Sequence, residues 1–235
     1  MPLPQITTPE FTTILPSTGE RLSFRPFLVK EEKILLMAQE GKDKKEIQRA
    51  VINILEECIK TPVTIEDLPL FDIEWLFIQL RSKSVGEVID LKIKHVENKE
   101  CLHLNPIEVN LEELEMTKDP KHTNIINITD DIGVTMRYPS LKLVGDKNPE
   151  GLDSTAVFNL ICDCVLNVFD KDQVYNDFTK EEIDKFIGDL DQKQLLKFMD
   201  FFKTMPKVEH TIKYKCEKCG QDVEHKLNGL VDFFI

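Results

Sequence analysis

The stretch HTIKYKCEKCGQDVEHKLNGLVDFFI, residues 210–235, places two cysteines between two strand-like runs and closes on an apolar tail. The spacing Cys216-x-x-Cys219 followed by Gly220 is typical of a zinc knuckle, because the turn lets both thiolates face one ion while glycine tolerates a positive φ. The strand-like runs on both sides indicate a β-hairpin. We therefore predict a C-terminal cysteine-knuckle hairpin.

Three interpretations of this knuckle stay open. Two cysteines supply only half of a tetrahedral zinc site, and His210 and His225 on the arms of the hairpin are the candidate further ligands of a structural zinc ion, beside Cys216 and Cys219. A pair of reduced thiols in a β-turn without metal is the second interpretation. A thioredoxin-like redox pair is the third, although such a motif opens a helix and no helical pattern follows Cys219.

A second hairpin provides an alternative set of ligands. The runs LKIKH, which ends at His95, and IKYKC, which ends at Cys216, share a pattern and each leads into a predicted turn. Cys101 and His103 follow the first run closely. The two hairpins together are therefore an alternative source of ligands for one pooled site.

Composition excludes several classes of protein. A hydrophobic fraction of 41% with 31% charged residues is ordinary for a soluble globular chain, and no apolar run approaches the roughly 20 residues of a membrane span. The formal charge of −12 repels phosphate backbones, so nucleic acid is not expected as a partner. Six cysteines without a secretory signal predict reduced thiols in a cytosol.

Apolar periodicity predicts an α+β fold in which β-hairpins are combined with helical segments. Hairpins are expected around the turn at Gly19 and within residues 88–109, with helices in residues 28–59 and 71–83. The run STAVFNLICDCVLNVF, residues 154–169, is predicted as one buried helix. Capping boxes that begin at Thr179 and Asp191 predict two further helices before the final hairpin.

Turn-forming residues predict where the chain divides. The segment VGDKNPEG, residues 144–151, is the best linker candidate, because Gly, Asp, Asn and Pro all favour turns. We expect a flexible N-terminal arm in residues 1–12 and a mixed α/β domain with hairpins in residues 13–145. Residues 151–235 are expected to form a helical segment that ends in the CxxC hairpin.

Catalytic signatures are missing from the sequence. It contains no Gly-rich phosphate loop with Lys-Ser/Thr, no HExxH and no GxSxG, and its histidines are scattered. We predict that the protein is not an enzyme. The alternative of another class is a zinc- or thiol-dependent enzyme that uses Cys216 and Cys219.

Five blocks of sequence carry a resemblance to a known family. They are LPSTGERLSFRPFLVKEEKILLMAQE, FDIEWLFIQLRSKSVGE, GVTMRYPS, FMDFFKTMPKVEHTIKYKCEKCG and GLVDFF. In order and overall length the chain resembles the T4-like bacteriophage baseplate hub family, whose members carry a C-x-x-C-G element matched here by Cys216, Cys219 and Gly220. Many relatives look richer in paired cysteines in the earlier hairpin, where this sequence has only Cys101.

The resemblance implies a late, non-enzymatic viral tail protein that takes part in assembly of the baseplate hub. It is expected in the host cytoplasm during assembly, and whether it stays in the virion tail baseplate is left open. A chaperone of the tape-measure protein, absent from the mature virion, is the alternative.

The apolar tail is the predicted binding surface for other hub or tail proteins. Large side chains removed from water stabilise such contacts. In the alternative interpretation, the tail folds back onto the protein's own helices. The residues in question are Leu230, Val231, Phe233, Phe234 and Ile235.

Overall fold

The computed structural model describes residues 7–41, 43–95, 101–144 and 154–228. Contacts divide the chain into two compact units. Unit 1 combines Met1–Thr117 with Lys207–Ile235, and unit 2 is Lys118–Pro206. The predicted linker, apart from Val144, lies outside the described residues, and the predicted domain limits stay a prediction.

Helices and short antiparallel strands alternate along the chain, which confirms the predicted α+β fold. The strands are β1 (Phe11–Ile14), β2 (Arg21–Phe24), β3 (Val88–Lys94), β4 (Leu104–Asn110), β5 (Met116–Thr117), β6 (Ile125–Asn127), β7 (Gly133–Met136), β8 (Val165–Phe169), β9 (Val174–Tyr175), β10 (Lys207–Lys215) and β11 (Asp222–Asn228). The helices are α1 (Val29–Gly41), α2 (Lys44–Cys58), α3 (Leu70–Ser84), α4 (Leu141–Val144), α5 (Ser154–Cys164), α6 (Lys180–Gly188) and α7 (Gln192–Thr204). Short 3-10 turns lie at Ile65–Asp67 and Leu111–Glu113.

Two hairpins of unit 1 share one apolar core. In β3 the burial alternates strictly, so that Ile89, Leu91 and Ile93 point inward. They belong to the same buried cluster as Ile212 of β10 and Leu227 of β11. The β3–β4 hairpin and the sheet β11-β10-β5 are therefore held together by side chains far apart in sequence.

Unit 2 is built around a four-stranded sheet of order β6-β7-β8-β9 with helices packed on a core that includes Phe198. Its helix starts follow the sequence signals. Thr179 with Glu182, and Asp191 with Gln194, form the two predicted capping boxes. These reciprocal bonds satisfy backbone donors that a helix start leaves unpaired.

The prediction of one helix over residues 154–169 is wrong beyond Cys164. The helix α5 ends there, and Val165–Phe169 continues as β8, which pairs with β7. Gly133 lies opposite Phe169, and a side chain added at Gly133 would overlap the Phe169 ring. Strand pairing and this close approach thus outweigh the helical pattern of the apolar run.

The thiols of Cys162 and Cys164 lie buried in the core of unit 2. Burial raises the pKa of both to about 12. They behave as small apolar side chains rather than as reactive groups.

Candidate metal centre

Four side chains from the two hairpins of unit 1 converge at one end of the β3–β4 and β10–β11 pairs. His95 follows β3 directly, Cys101 precedes β4, and Cys216 and Cys219 lie in the turn after β10. Their ligand atoms all lie within 4.8 Å of one another. We call these four residues the metal-site cluster.

Two distances within the metal-site cluster match those between ligands of one tetrahedral ion. The Sγ atoms of Cys101 and Cys216 are 3.7 Å apart, and Cys219 Sγ lies 3.5 Å from His95 Nδ1. Zinc bonds of about 2.3 Å to sulfur and about 2.0 Å to nitrogen, at tetrahedral angles, place two sulfurs about 3.8 Å apart and a sulfur and a nitrogen about 3.5 Å apart. These two pairs of donor atoms are thus already spaced as ligands of one ion.

The cysteine turn is fixed by its own backbone. The Cys216 N–H donates to the Gln221 carbonyl at 2.8 Å, and the Gly220 N–H donates to the Cys216 carbonyl at 2.8 Å. Gly220 has a φ of 71°, the left-handed conformation that glycine adopts without strain. The predicted knuckle turn and its hairpin are confirmed.

The backbone next to Cys101 adopts a strained conformation. Leu102, the next residue, has a φ of 40°, and no other residue except glycine has a positive φ in the described part of the chain. A leucine in this region costs on the order of 1–3 kcal/mol and persists only where its surroundings hold it. The neighbourhood of Cys101 is therefore held in a conformation that the chain alone disfavours.

Asn105 connects the two hairpins behind the metal-site cluster. Its side chain is 1% exposed, accepts a hydrogen bond of 3.0 Å from the Glu217 N–H and donates one of 3.3 Å to the His103 carbonyl. That carbonyl also accepts the His95 N–H at 2.9 Å. One amide thus fixes the backbone beside a ligand in each hairpin.

The thiols of the cluster differ in acidity. Burial opposes ionisation of Cys216, but the N–H groups of Cys219 and Lys218 and the thiols of Cys219 and Cys101 outweigh it and lower its pKa to about 6. The Gln221 N–H lowers the pKa of Cys219, but desolvation and the other two thiols raise it further, so the net shift is upward. Hydrogen bonding therefore lowers the pKa of Cys216, whereas the pKa of Cys219 is raised.

A family model described as T4 bacteriophage base plate protein matches residues 8–235. The chain belongs to this family. It is a phage baseplate protein, as the sequence blocks predict. Searches of curated proteins and of solved structures found no match for it. None of the helices in the described residues has both the length and the apolar character of a membrane span.

The structure brings some of the predicted site residues of this baseplate protein together and not others. Cys216 and Cys219 belong to the metal-site cluster, but His210 and His225 do not. His210 lies in β10, six residues before Cys216, which at the rise of a strand is about 20 Å away. His225 lies in β11 and pairs with Ile212. Because Ile212 is four residues before Cys216, His225 is about 13 Å from Cys216 along the strand. The apolar tail, from Leu230 onward, lies outside the described residues.

The pooled set of ligands comes closer to the structure, because His95 and Cys101 belong to the metal-site cluster. His103, the third residue of that set, instead points its Nε2 toward Glu217 Oε2 at 3.7 Å. The signal for His95 is the run before it, which repeats the run before Cys216. Asn105 was missed, since nothing in the sequence shows that an asparagine in one strand faces a turn more than 100 residues later.

Proposed function

We propose that this baseplate protein takes part in assembly of the baseplate hub by binding other hub or tail proteins, without chemistry of its own. The observation that carries the proposal is the family match over residues 8–235. The protein would act in the host cytoplasm while the tail is built. Its partners are proteins, since the net charge of −12 disfavours nucleic acid.

Surface composition supports a role in protein contacts. Helix α1 carries four large apolar side chains that are 47–80% exposed. They are Val29, Ile34, Leu36 and Met37. Several such side chains on one short helix form the kind of surface that protein partners cover. The tail at Leu230–Ile235 is the second surface that we propose for partner binding.

The metal-site cluster serves the fold in this proposal. Its residues come from two hairpins, and His95 and Cys216 are 2% and 1% exposed, whereas Cys219 is exposed. A substrate would have little access to His95 and Cys216. The competing hypothesis, an enzyme that uses Cys216 and Cys219, requires turnover by the isolated chain that is lost when either thiol is replaced.

Capture from infected cells tests the proposal. A tagged chain is expected to retain hub or tail proteins identified by mass spectrometry, because the exposed apolar surfaces lose water on binding. A variant with Val29→Glu and Met37→Glu tests α1, and deletion of Leu230–Ile235 tests the tail. Leu196→Glu is the matched control, since Leu196 is a helical side chain that is 59% exposed in unit 2.

The outcomes of this experiment separate the surfaces. Loss of partners with unchanged circular dichroism assigns binding to the altered surface, and loss of the fold on tail deletion assigns the tail to the core. Retention of no tail protein by the unaltered chain would contradict the proposal.

Purified mature virions distinguish a structural component from a departing assembly factor. A stoichiometric band of this protein supports a place in the tail baseplate. Its absence supports a chaperone, for which the tape-measure protein is the partner to test first.

A further inference from the structure

We propose that His95, Cys101, Cys216 and Cys219 bind one Zn²⁺ ion in a closed tetrahedral site that fastens the β10–β11 hairpin to the β3–β4 hairpin. The inference concerns how unit 1 is held together and does not depend on the role in hub assembly. It replaces His210 and His225 as ligands with two residues from the other hairpin.

The number of donors argues for a structural site. Four protein ligands fill a tetrahedron, whereas a catalytic zinc site keeps one position open for water or substrate. All four donor atoms lie within 4.8 Å of one another, so a single ion reaches each of them. An iron–sulfur cluster spreads its ligands around several irons and needs wider spacing than this.

The chemistry of the donors selects the ion. Three sulfurs and one imidazole nitrogen are soft or intermediate ligands, which favour zinc and disfavour calcium and magnesium, whose ligands are oxygens. Neutral imidazole at His95 Nδ1 with three thiolates leaves one net negative charge on the zinc site. Backbone N–H groups of Lys218 and Cys219 point at the Cys216 sulfur and stabilise that charge.

The sequence separation of the ligands gives the ion its structural effect. Cys101 and Cys216 are 115 residues apart, and His95 and Cys219 are 124 apart. An ion that binds only the folded arrangement stabilises it by its binding free energy, because the unfolded chain seldom brings such distant ligands together. Asn105 and the shared core pre-position the ligands, and the ion fixes them.

Metal analysis of the full chain tests the site. The chain is expressed with zinc in the medium, purified without chelator and analysed by plasma mass spectrometry. We expect about one zinc per chain, falling below about 0.2 in Cys219→Ser and in His95→Asn. His225→Asn is the matched control, a histidine of the same hairpin, and is expected to keep its zinc.

Cobalt provides a second readout, which reports the ligands of the bound ion directly. Metal-free wild-type chain, prepared with chelator and titrated with Co²⁺, is expected to show intense tetrahedral ligand-field bands and thiolate charge-transfer bands, which added Zn²⁺ removes. Cys219→Ser, whose side chain is exposed, should bind with weaker charge transfer while circular dichroism stays unchanged.

Three results would overturn the inference. The first is fewer than about 0.1 zinc per wild-type chain together with no tetrahedral cobalt spectrum. The second is full zinc content in His95→Asn with loss of zinc in His225→Asn, which would restore the single-hairpin ligand set. The third is a Cys101–Cys216 disulfide in chain purified under reducing conditions.

Discussion

Unit 1 and unit 2 reach a folded core by different routes. Unit 2 is one continuous stretch, Lys118–Pro206, in which the helices α6 and α7 begin at capping boxes and the sheet joins strands along that stretch. Unit 1 is made of two stretches, and its final hairpin packs on strands that lie more than 100 residues earlier.

The difference shows which interactions stabilise each unit. Local signals fix much of unit 2, because each capping box acts within four residues. Unit 1 must close over a long separation, which costs conformational entropy, and there the structure gathers the metal-site cluster and Asn105. Variants that weaken one unit at a time test this contrast.

Truncation of the unit 2 core is expected to have the largest effect. Phe198 is 0% exposed, so Phe198→Ala should lower the free energy of unfolding by about 3–5 kcal/mol. Leu196→Ala on the same helix, at 59% exposure, should change it by less than about 0.5 kcal/mol. Chemical denaturation measures both. Loss of metal from Phe198→Ala under native conditions would break the contrast, because the metal-site cluster lies in unit 1.

Crowding at the β7–β8 pair should lower the free energy of unfolding by somewhat less than Phe198→Ala does. Gly133→Ala places a methyl group against the Phe169 ring, and we expect a loss of about 1–3 kcal/mol with faster amide exchange in β8. Gly188→Ala is the matched control, since a side chain there meets nothing within 4 Å. Equal behaviour of the two variants would show that β8 does not need the glycine.

Removal of the Asn105 side chain between the hairpins should weaken metal binding at the proposed zinc site of unit 1. Asn105→Ala leaves the Glu217 N–H without its partner, and we expect a 10- to 100-fold loss of metal affinity, roughly, measured by competition with a chromophoric chelator. Asn110→Ala, in the same strand, removes a side chain that caps the 3-10 turn at Leu111–Glu113 instead. An equal loss of affinity in both would assign the effect to β4 as a whole.

A single helix cap in unit 2 should matter less. Thr179 accepts the Glu182 N–H at the start of α6, and Thr179→Ala should cost about 1 kcal/mol. Thr179→Ser keeps a hydroxyl and is expected to restore most of the stability. A loss of stability that amide exchange detects only in unit 1 would contradict our view that the capping boxes act locally within unit 2.

Acid should have the smallest effect. The Thr179 N–H, and then its hydroxyl, lower the pKa of Glu182 below its ordinary value of 4.5. A carboxyl group whose folded pKa is lowered stabilises the fold above the unfolded pKa, and the contribution is lost as the pH falls through the folded pKa. The melting temperatures of wild type and Glu182→Gln should therefore converge below pH 4.5. A constant difference would show that Glu182 does not titrate in the cap.

The sequence predicts secondary-structure elements better than it predicts tertiary contacts between them. Hairpins follow from alternation, and α6 and α7 follow from Thr179 and Asp191, because these signals act between near neighbours. The strand β8 was missed, since its apolar residues fit a helix until Gly133 is seen opposite Phe169. For the site, the sequence identifies Cys216 and Cys219 but favours histidines on their own hairpin.

The two residues that the single-hairpin prediction lacks, His95 and Cys101, are brought to the metal-site cluster by tertiary packing. His95 and Cys101 meet the C-terminal cysteines only because the two hairpins bury their apolar faces in one core. A repeated run before His95 and Cys216 hints at this pairing, but alternating runs are common. Single-sequence reasoning has no measure of which hairpins pack together.

The split of unit 1 into two stretches also has a consequence during synthesis on the ribosome. Unit 2 is complete once residue 206 has emerged, whereas unit 1 lacks β10 and β11 until residues 207–228 follow. Throughout translation of the inserted unit, the core of the β3–β4 hairpin therefore lacks Val208, Ile212 and Leu227. Translation speed and chaperone capture in that interval become determinants of how much folded protein each infected cell obtains.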